Sequence, residues 1–251
     1  MRKAIAGGLG LLFVLMTAAF GQEPARNTIR IIDEADLYCS LLAVEVVPLL
    51  KIKAAERMDE RTFLVAGDLF VFDRTPGDGL GVGTMLNILE IGKTVKGSAP
   101  GARPVMVAYQ RGRAKVVLLD ANSGRARIEK ACGTIEVGQA LGPFVEREIL
   151  RGRDQGFASI ERKPEAPAGS IIFLGGDAIH IGPGQMALVD MGTDQGLKVG
   201  QQLTVFRKDE KNTRGQGMAN VIVVHAGPQV SVVKVLSARD SLLLGDLIQS
   251  K

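Results

Sequence analysis

The residues of this chain with a capacity for chemistry are few, and their spacing limits what they could do. Gly77-Asp-Gly-Leu-Gly-Val-Gly83 is glycine-dense enough to raise the question of a phosphate cradle. Its G-x-G-x-G-x-G interval differs from G-x-G-x-x-G, no Lys-Ser/Thr follows, and no helix is expected to offer a positive N-terminus. A tight turn between two strands accounts for it better. Asp73 and Asp190 fall at equivalent strand ends, one carboxylate at each, where acid/base work needs two. Aspartate at such a position commonly accepts backbone N–H groups. His180 and His225 are the two histidines, and neither has a metal-ligand neighbour at the i+2 or i+4 spacing of a zinc site. No G-x-S-x-G elbow supports a Ser/His/Asp triad, and Cys132 would need a reduced thiol and an activating base to act as a nucleophile. No catalytic residue, cofactor or metal is expected.

The elements that carry these residues occur twice. Residues 67–89 and 184–206 align without a gap at a constant offset of 117, and Gly67/Gly184, Asp73/Asp190, Gly79/Gly196, Leu80/Leu197, Val82/Val199, Gly83/Gly200 and Leu86/Leu203 are identical. Average residue usage gives roughly one or two identities over such a length. The chain therefore contains a duplicated module, a strand, a glycine turn and a returning strand. The second copy keeps Gly196 and Gly200 of the glycine-dense turn, so Asp73, Gly79, Gly83, Asp190, Gly196 and Gly200 are read as a structural frame.

Several short strands per module, with turn residues every 8–12 positions, predict an all-β fold of two tandem small barrels or sandwiches. The expected organisation is a signal peptide over 1–21, a first module over 22–144, a charged linker over 145–168 and a second module over 169–251. In the first module Ile29–Val47 favours strand, with a short helix over Asp33–Leu42 as the alternative. Gly92–Pro104 reads as a loop excursion, followed by two further strands, Val105–Tyr109 with Lys115–Leu119, then Arg125–Lys130. In the linker a helix over Val145–Arg151 precedes a Pro-rich extended spacer. The second module is expected to have short strands over Ser170–Leu174 and Ala178–Ile181, a loop over Arg207–Gly217, and a hairpin of Asn220–His225 with Gln229–Leu236.

Arg2 and Lys3 before an apolar run from Ala4 to Phe20, ending in small residues, read as an export signal, with an uncleaved anchor as the alternative. No second run is long enough to span a membrane. The formal charge of +4 is spread over interspersed acids and bases, and aromatic residues are only 4%. Neither a polyanion site nor a base-stacking platform is expected, which argues against nucleic acid. Export brings Cys39 and Cys132 into an oxidising compartment. A bridge would tie the start of the first module to its end, and two buried free thiols are the alternative.

Taken together, "VDMGTDQGLKVGQQLTVFR" and "GMANVIVVHAGPQVSVVKVLSARDSLLLGDLI" resemble a bacterial envelope module found beside peptidoglycan-binding LysM domains, and are also similar to the C-terminal domain of flagellar assembly protein T. The stretch from "LYCS" through "AGDLFVFD" and "GLGVGTMLNI" to "ARIEKACGTIEVGQALGPF" resembles the partner module of those proteins, in which two cysteines also appear. The chain has no LysM domain. The resemblance implies a non-enzymatic, periplasmic or cell-envelope protein that binds or assembles with an envelope protein partner, through loops and exposed strand edges. Peptidoglycan or polysaccharide binding is the alternative, and a hydrolase with a site between the modules is the third reading.

Overall fold

The computed structural model describes residues 29–56, 62–75, 77–98, 101–158, 160–207 and 215–251. The expected export signal and most of the Arg207–Gly217 loop lie outside them. In chain order the first half contains β1 (Ile29–Arg30), α1 (Glu34–Tyr38), β2 (Leu41–Val44), β3 (Ile52–Ala55), β4 (Leu69–Asp73), β5 (Met85–Lys96), β6 (Pro104–Leu119), β7 (Ser123–Ala131) and β8 (Ala140–Pro143). The second contains β9 (Arg151–Gly152), β10 (Ala168–Leu174), β11 (Met186–Val189), β12 (Gln202–Phe206), β13 (Ala219–Ala226), β14 (Ser231–Ala238) and β15 (Leu247–Ser250).

The expected all-β, two-module architecture is present, and the duplication extends to topology. The second module is a closed barrel in the order β10-β11-β14-β13-β12-β15. The first has the matching order β3-β4-β7-β6-β5-β8. Its two ends meet through the Lys51–Ala140 bridge and the Ile52 N–H, which donates to the Gln139 carbonyl at 2.9 Å. Each barrel has its own core. Phe70, Phe72, Ile88 and Ile128 are among the residues that fill the first, and Val189, Leu203, Val223 and Val235 among those that fill the second. Closure pairs the backbone around each barrel, so the longer strand edges that remain among the described residues lie on β2 and on the outer half of β5, which β8 does not reach.

The glycine turn of the repeat occurs three times in each barrel. Its pattern is an apolar residue, two variable residues, Gly, then Asp, Thr or Gln, starting at Leu64, Leu80, Ile135, Ile181, Leu197 and Leu242. All six glycines have positive φ, which a Cβ would strain. Each donates its N–H across the barrel wall: Gly67 to the Ile128 carbonyl, Gly83 to Val116, Gly138 to Ile52, Gly184 to Val235, Gly200 to Val223 and Gly245 to Ile171, at 2.7–2.8 Å. In five of the six, the next side chain closes the turn, as when Asp68 accepts from the Val65 N–H at 2.9 Å and Gln201 from the Lys198 N–H at 3.1 Å. The apolar residue enters or borders the core, and the turn thereby fixes where each strand starts.

The modules differ in what surrounds the barrels. β5 and β6 run past the first barrel, with a register break between Ile91 and Thr94 where the ribbon bends, and β2 pairs with β6 to make a three-stranded arm. Of the excursion expected at Gly92–Pro104, residues 92–96 extend β5 and Pro104 opens β6, and the expected strand segments Val105–Tyr109 and Lys115–Leu119 both fall within β6. The arm lies on the outside of the second barrel, where Leu41, Val105 and Val107 pack with Phe173, Leu188 and Val232. The helical alternative holds over Glu34–Tyr38. Its capping box satisfies the first turn, with Asp33 accepting from the Asp36 N–H and Asp36 from the Asp33 N–H. Ile31, Ile32, Leu37 and Tyr38 then cover Ile222 and Val224 of β13.

Residues 145–151 are not helical, and the linker does not act as a spacer. β9 pairs with β1, Gln202 Nε2 donates to the Arg153 carbonyl at 2.8 Å, and the Lys163 N–H donates to Gln249 Oε1 at 3.1 Å. These bonds strap residues 151–163 to the second barrel. Residues 178–181 form no strand, only a bridge from Ile181 to Leu242.

Candidate functional site

Of the residues considered for chemistry, the two aspartates and the two cysteines are engaged, whereas His180 is exposed in the bend before Ile181 and His225 keeps one ring nitrogen without a partner. Asp73 and Asp190 are equivalent in sequence but not in surroundings. Asp73, with a side chain 66% exposed, accepts from Lys53 Nζ at 2.8 Å. Asp190, 8% exposed, ends β11 under the tip of the arm. It accepts from the Ser98 N–H at 2.9 Å, the Ser98 hydroxyl, the Ser170 N–H and the Ser170 hydroxyl at 3.1 Å. A Cβ on Gly97 would lie 2.9 Å from the Asp190 Cβ, so glycine is what lets the tip come this close. One carboxylate thus fastens the two modules together. Neither aspartate caps its own glycine turn. In the first copy Asp78 does so, accepting from the Leu80 N–H at 3.0 Å, while the Arg74 guanidinium bonded to it holds its carboxyl below the usual range.

Cys39, at the C-terminal end of α1, and Cys132, just after β7, are joined in a disulfide with Cα atoms 5.2 Å apart. His225 lies near the end of β13, with Nδ1 buried and unpartnered, and burial, aided by the Arg147 charge, pushes its pKa down to about 4. A histidine held neutral across the physiological range can accept or donate one hydrogen bond but does not switch charge there. Tyr109 is shifted the other way, burial raising its pKa. Among the described residues no group of three or more His, Cys, Asp or Glu could hold a metal ion. No described helix is long and apolar enough to cross a membrane.

Among the spaces lined by side chains of both modules, the roomiest described is apolar. A groove of about 500 Å³ is lined from the arm by Lys93 and Val95 and from the second barrel by residues that include Phe173, Ile179, Leu243 and Leu244. Ile179 is 86% exposed and Leu244 61%. Lys93 pairs with Asp177 and lies 5.0 Å from the Phe173 ring centroid, so the polar groups at this rim already answer each other. Such a groove can receive aliphatic surface, but it brings no nucleophile and base together. Smaller spaces lie beside the disulfide, about 320 Å³ between Ser40, Arg111 and Met186, and beside His225, about 190 Å³.

Sequence reasoning did not single out Ser98, the partner of Asp190, because it sits in what reads as a loop. The Leu242-Leu-Leu-Gly245 run held a usable signal: the turn pattern buries its first leucine and leaves the next two outside. Compared with known proteins, the chain matches no family model and no curated protein.

Proposed function

We propose that this chain is an exported, non-enzymatic binding or assembly component of a bacterial cell envelope, working as one rigid body with two barrels. The observation that carries this reading is how most of the chemically capable residues are spent, with His180 exposed and lacking a nucleophile or a metal-ligand neighbour at i+2 or i+4 in sequence. The cysteines are bridged, Asp190 is bonded to both modules, Asp73 is paired with Lys53, and His225 is half-buried and neutral. What remains outside is surface on a stiff frame, including the apolar seam, and that favours recognition over turnover. The resemblance to LysM-associated envelope modules supports the same direction and supplies the compartment.

The test is photo-crosslinking in intact cells from a reactive residue placed at Ile179 or Leu244, followed by identification of the captured protein. A single reproducible partner, lost when Leu244→Asp is introduced, is the expected result. Retention of the purified chain on washed sacculi at moderate salt, with no protein captured, would replace this reading with glycan binding.

A further inference from the structure

The duplication allows each barrel to serve as the reference for the other. Across the outside of the second barrel runs a row of four paired positions, Met186, Lys234, Ile222 and Gln202, one each on β11, β14, β13 and β12. The same row on the first barrel is Leu69, Arg127, Lys115 and Met85, on β4, β7, β6 and β5. The end members of the two rows differ by the offset of 117 that relates the modules, so the rows occupy equivalent places on the two barrels.

On the second barrel the chain covers this row itself. Ile222 and Met186 pack against the Ile31–Tyr38 segment. Asp36 of α1 accepts from Lys234 Nζ at 2.5 Å, a pair with both side chains largely withdrawn from water. Gln202 Oε1 accepts the Gln155 N–H at 3.0 Å. A short, acidic, apolar-faced segment is thus what this surface takes when it is occupied.

On the first barrel no described segment is bonded to the two charged members of the row. Lys115 and Arg127 are exposed and stand directly opposite each other on the ladder. Among the described residues neither has an ion-pair or hydrogen-bond partner, whereas their neighbours Arg113, Lys130 and Arg125 are answered by Glu34, Glu34 and Glu56. Like charges directly opposite across a ladder are unfavourable unless an anion joins them. Leu69 and Met85, half-buried at the two ends of the row, supply apolar contact on either side.

We propose that this row is the docking site for an acidic segment of another polypeptide, which places a carboxylate between Lys115 and Arg127 as α1 places Asp36 on Lys234. The proposal rests on the binding reading above and gives it a second, polar face and a partner chemistry. Arginine can take a carboxylate through two N–H groups, and lysine adds a point charge, so the pair selects carboxylate over a neutral amide.

The test uses the exported chain with its disulfide intact and a fluorescein-labelled peptide of residues 29–42 carrying Cys39→Ser, the segment that covers the equivalent row. Binding is followed by fluorescence anisotropy, and the site by amide shifts in nitrogen-15 spectra. Saturable binding is expected, with the largest shifts at Lys115, Arg127, Leu69 and Met85. Affinity should fall at least tenfold in Lys115→Glu/Arg127→Glu and also in Lys115→Ala/Arg127→Ala, the second variant guarding against misfolding of the first. Absence of binding, shifts spread evenly over other cations, or affinity unchanged in both variants would overturn the proposal. Co-sedimentation with phosphatidylglycerol vesicles that the same variants abolish, without peptide binding, would overturn it in favour of a lipid surface. If the partner captured at the seam is kept by the double variants while the peptide fails to bind, the binding reading stands and this row is not its site.

Discussion

The Asp190 carboxylate accepts from two backbone N–H groups and two hydroxyls contributed by Ser98 and Ser170, so removing it leaves donors of both modules unanswered in a site with little water. Asp190→Ala is expected to cost about 1–3 kcal/mol, read as a lower urea midpoint with unchanged slope. Asp73→Ala removes an exposed ion pair and is expected to cost under about 1 kcal/mol. Equal shifts for the two would contradict the assigned surroundings. His225 gives a pH test. Its pKa of about 4 in the folded chain lies below the usual 6.5, so the unfolded chain takes up its proton first as pH falls. Stability from this residue is complete above about pH 6.5 and is lost progressively towards pH 4, by at most about 3 kcal/mol. His225→Gln should flatten the difference in urea midpoint between pH 7 and pH 4.5 relative to the parent chain. A parallel decline in both proteins would show that other groups cause it.

At the scale of elements, the disulfide joins the end of α1 to the end of β7 across a separation of 93 residues. Cys39→Ser/Cys132→Ser is expected to lose about 4–5 kcal/mol in the chain-entropy account. Because α1 covers β13, hydrogen exchange at Ile222 and Val224 should accelerate more than exchange at Ile88 in the first core. The same elements show what was legible in the sequence. The 117-residue offset, the glycine turns at Gly79–Gly83 and Gly196–Gly200 and the strands they join could be read directly, because backbone geometry admits few residues there. The arm could not, since Gly92, Gly97 and Pro104 have turn chemistry while β5 and β6 are held by pairing with each other and with β2. A clearer signal lay in β13 and β14. Val221-Ile-Val-Val224 is a continuous apolar run and Val232-Val-Lys-Val-Leu236 nearly so, whereas Arg125-Ala-Arg-Ile-Glu129 alternates strictly. Continuous runs belong to strands buried on both faces, and that is where the arm and α1 lie. Asp73 and Asp190 show the limit: identical residues at identical turns, distinguished only by what a distant segment lays over one of them.

For the molecule as a whole, the two barrels are expected to unfold together. The outside of the second carries Phe173, Leu188, Val232, Ile222 and Val224, buried by the arm and the Ile31–Tyr38 segment. A fragment of residues 160–251 would bare this surface. It is expected to self-associate or to bind the dye ANS, while the intact chain shows one cooperative transition with coincident signals from both modules. Two separated transitions in the intact chain would mean that the seam contributes little. The contact between Asp36 and Lys234 spans 198 residues. The segment around α1 comes first in the chain, and its cover site exists only once β13 and β14 are paired, with β15 closing the barrel. Ile31, Ile32, Leu37 and Tyr38 therefore have no native surface to cover until the C-terminal strands are in place, so a chain truncated before β13 should leave this segment open to protease while the intact chain protects it.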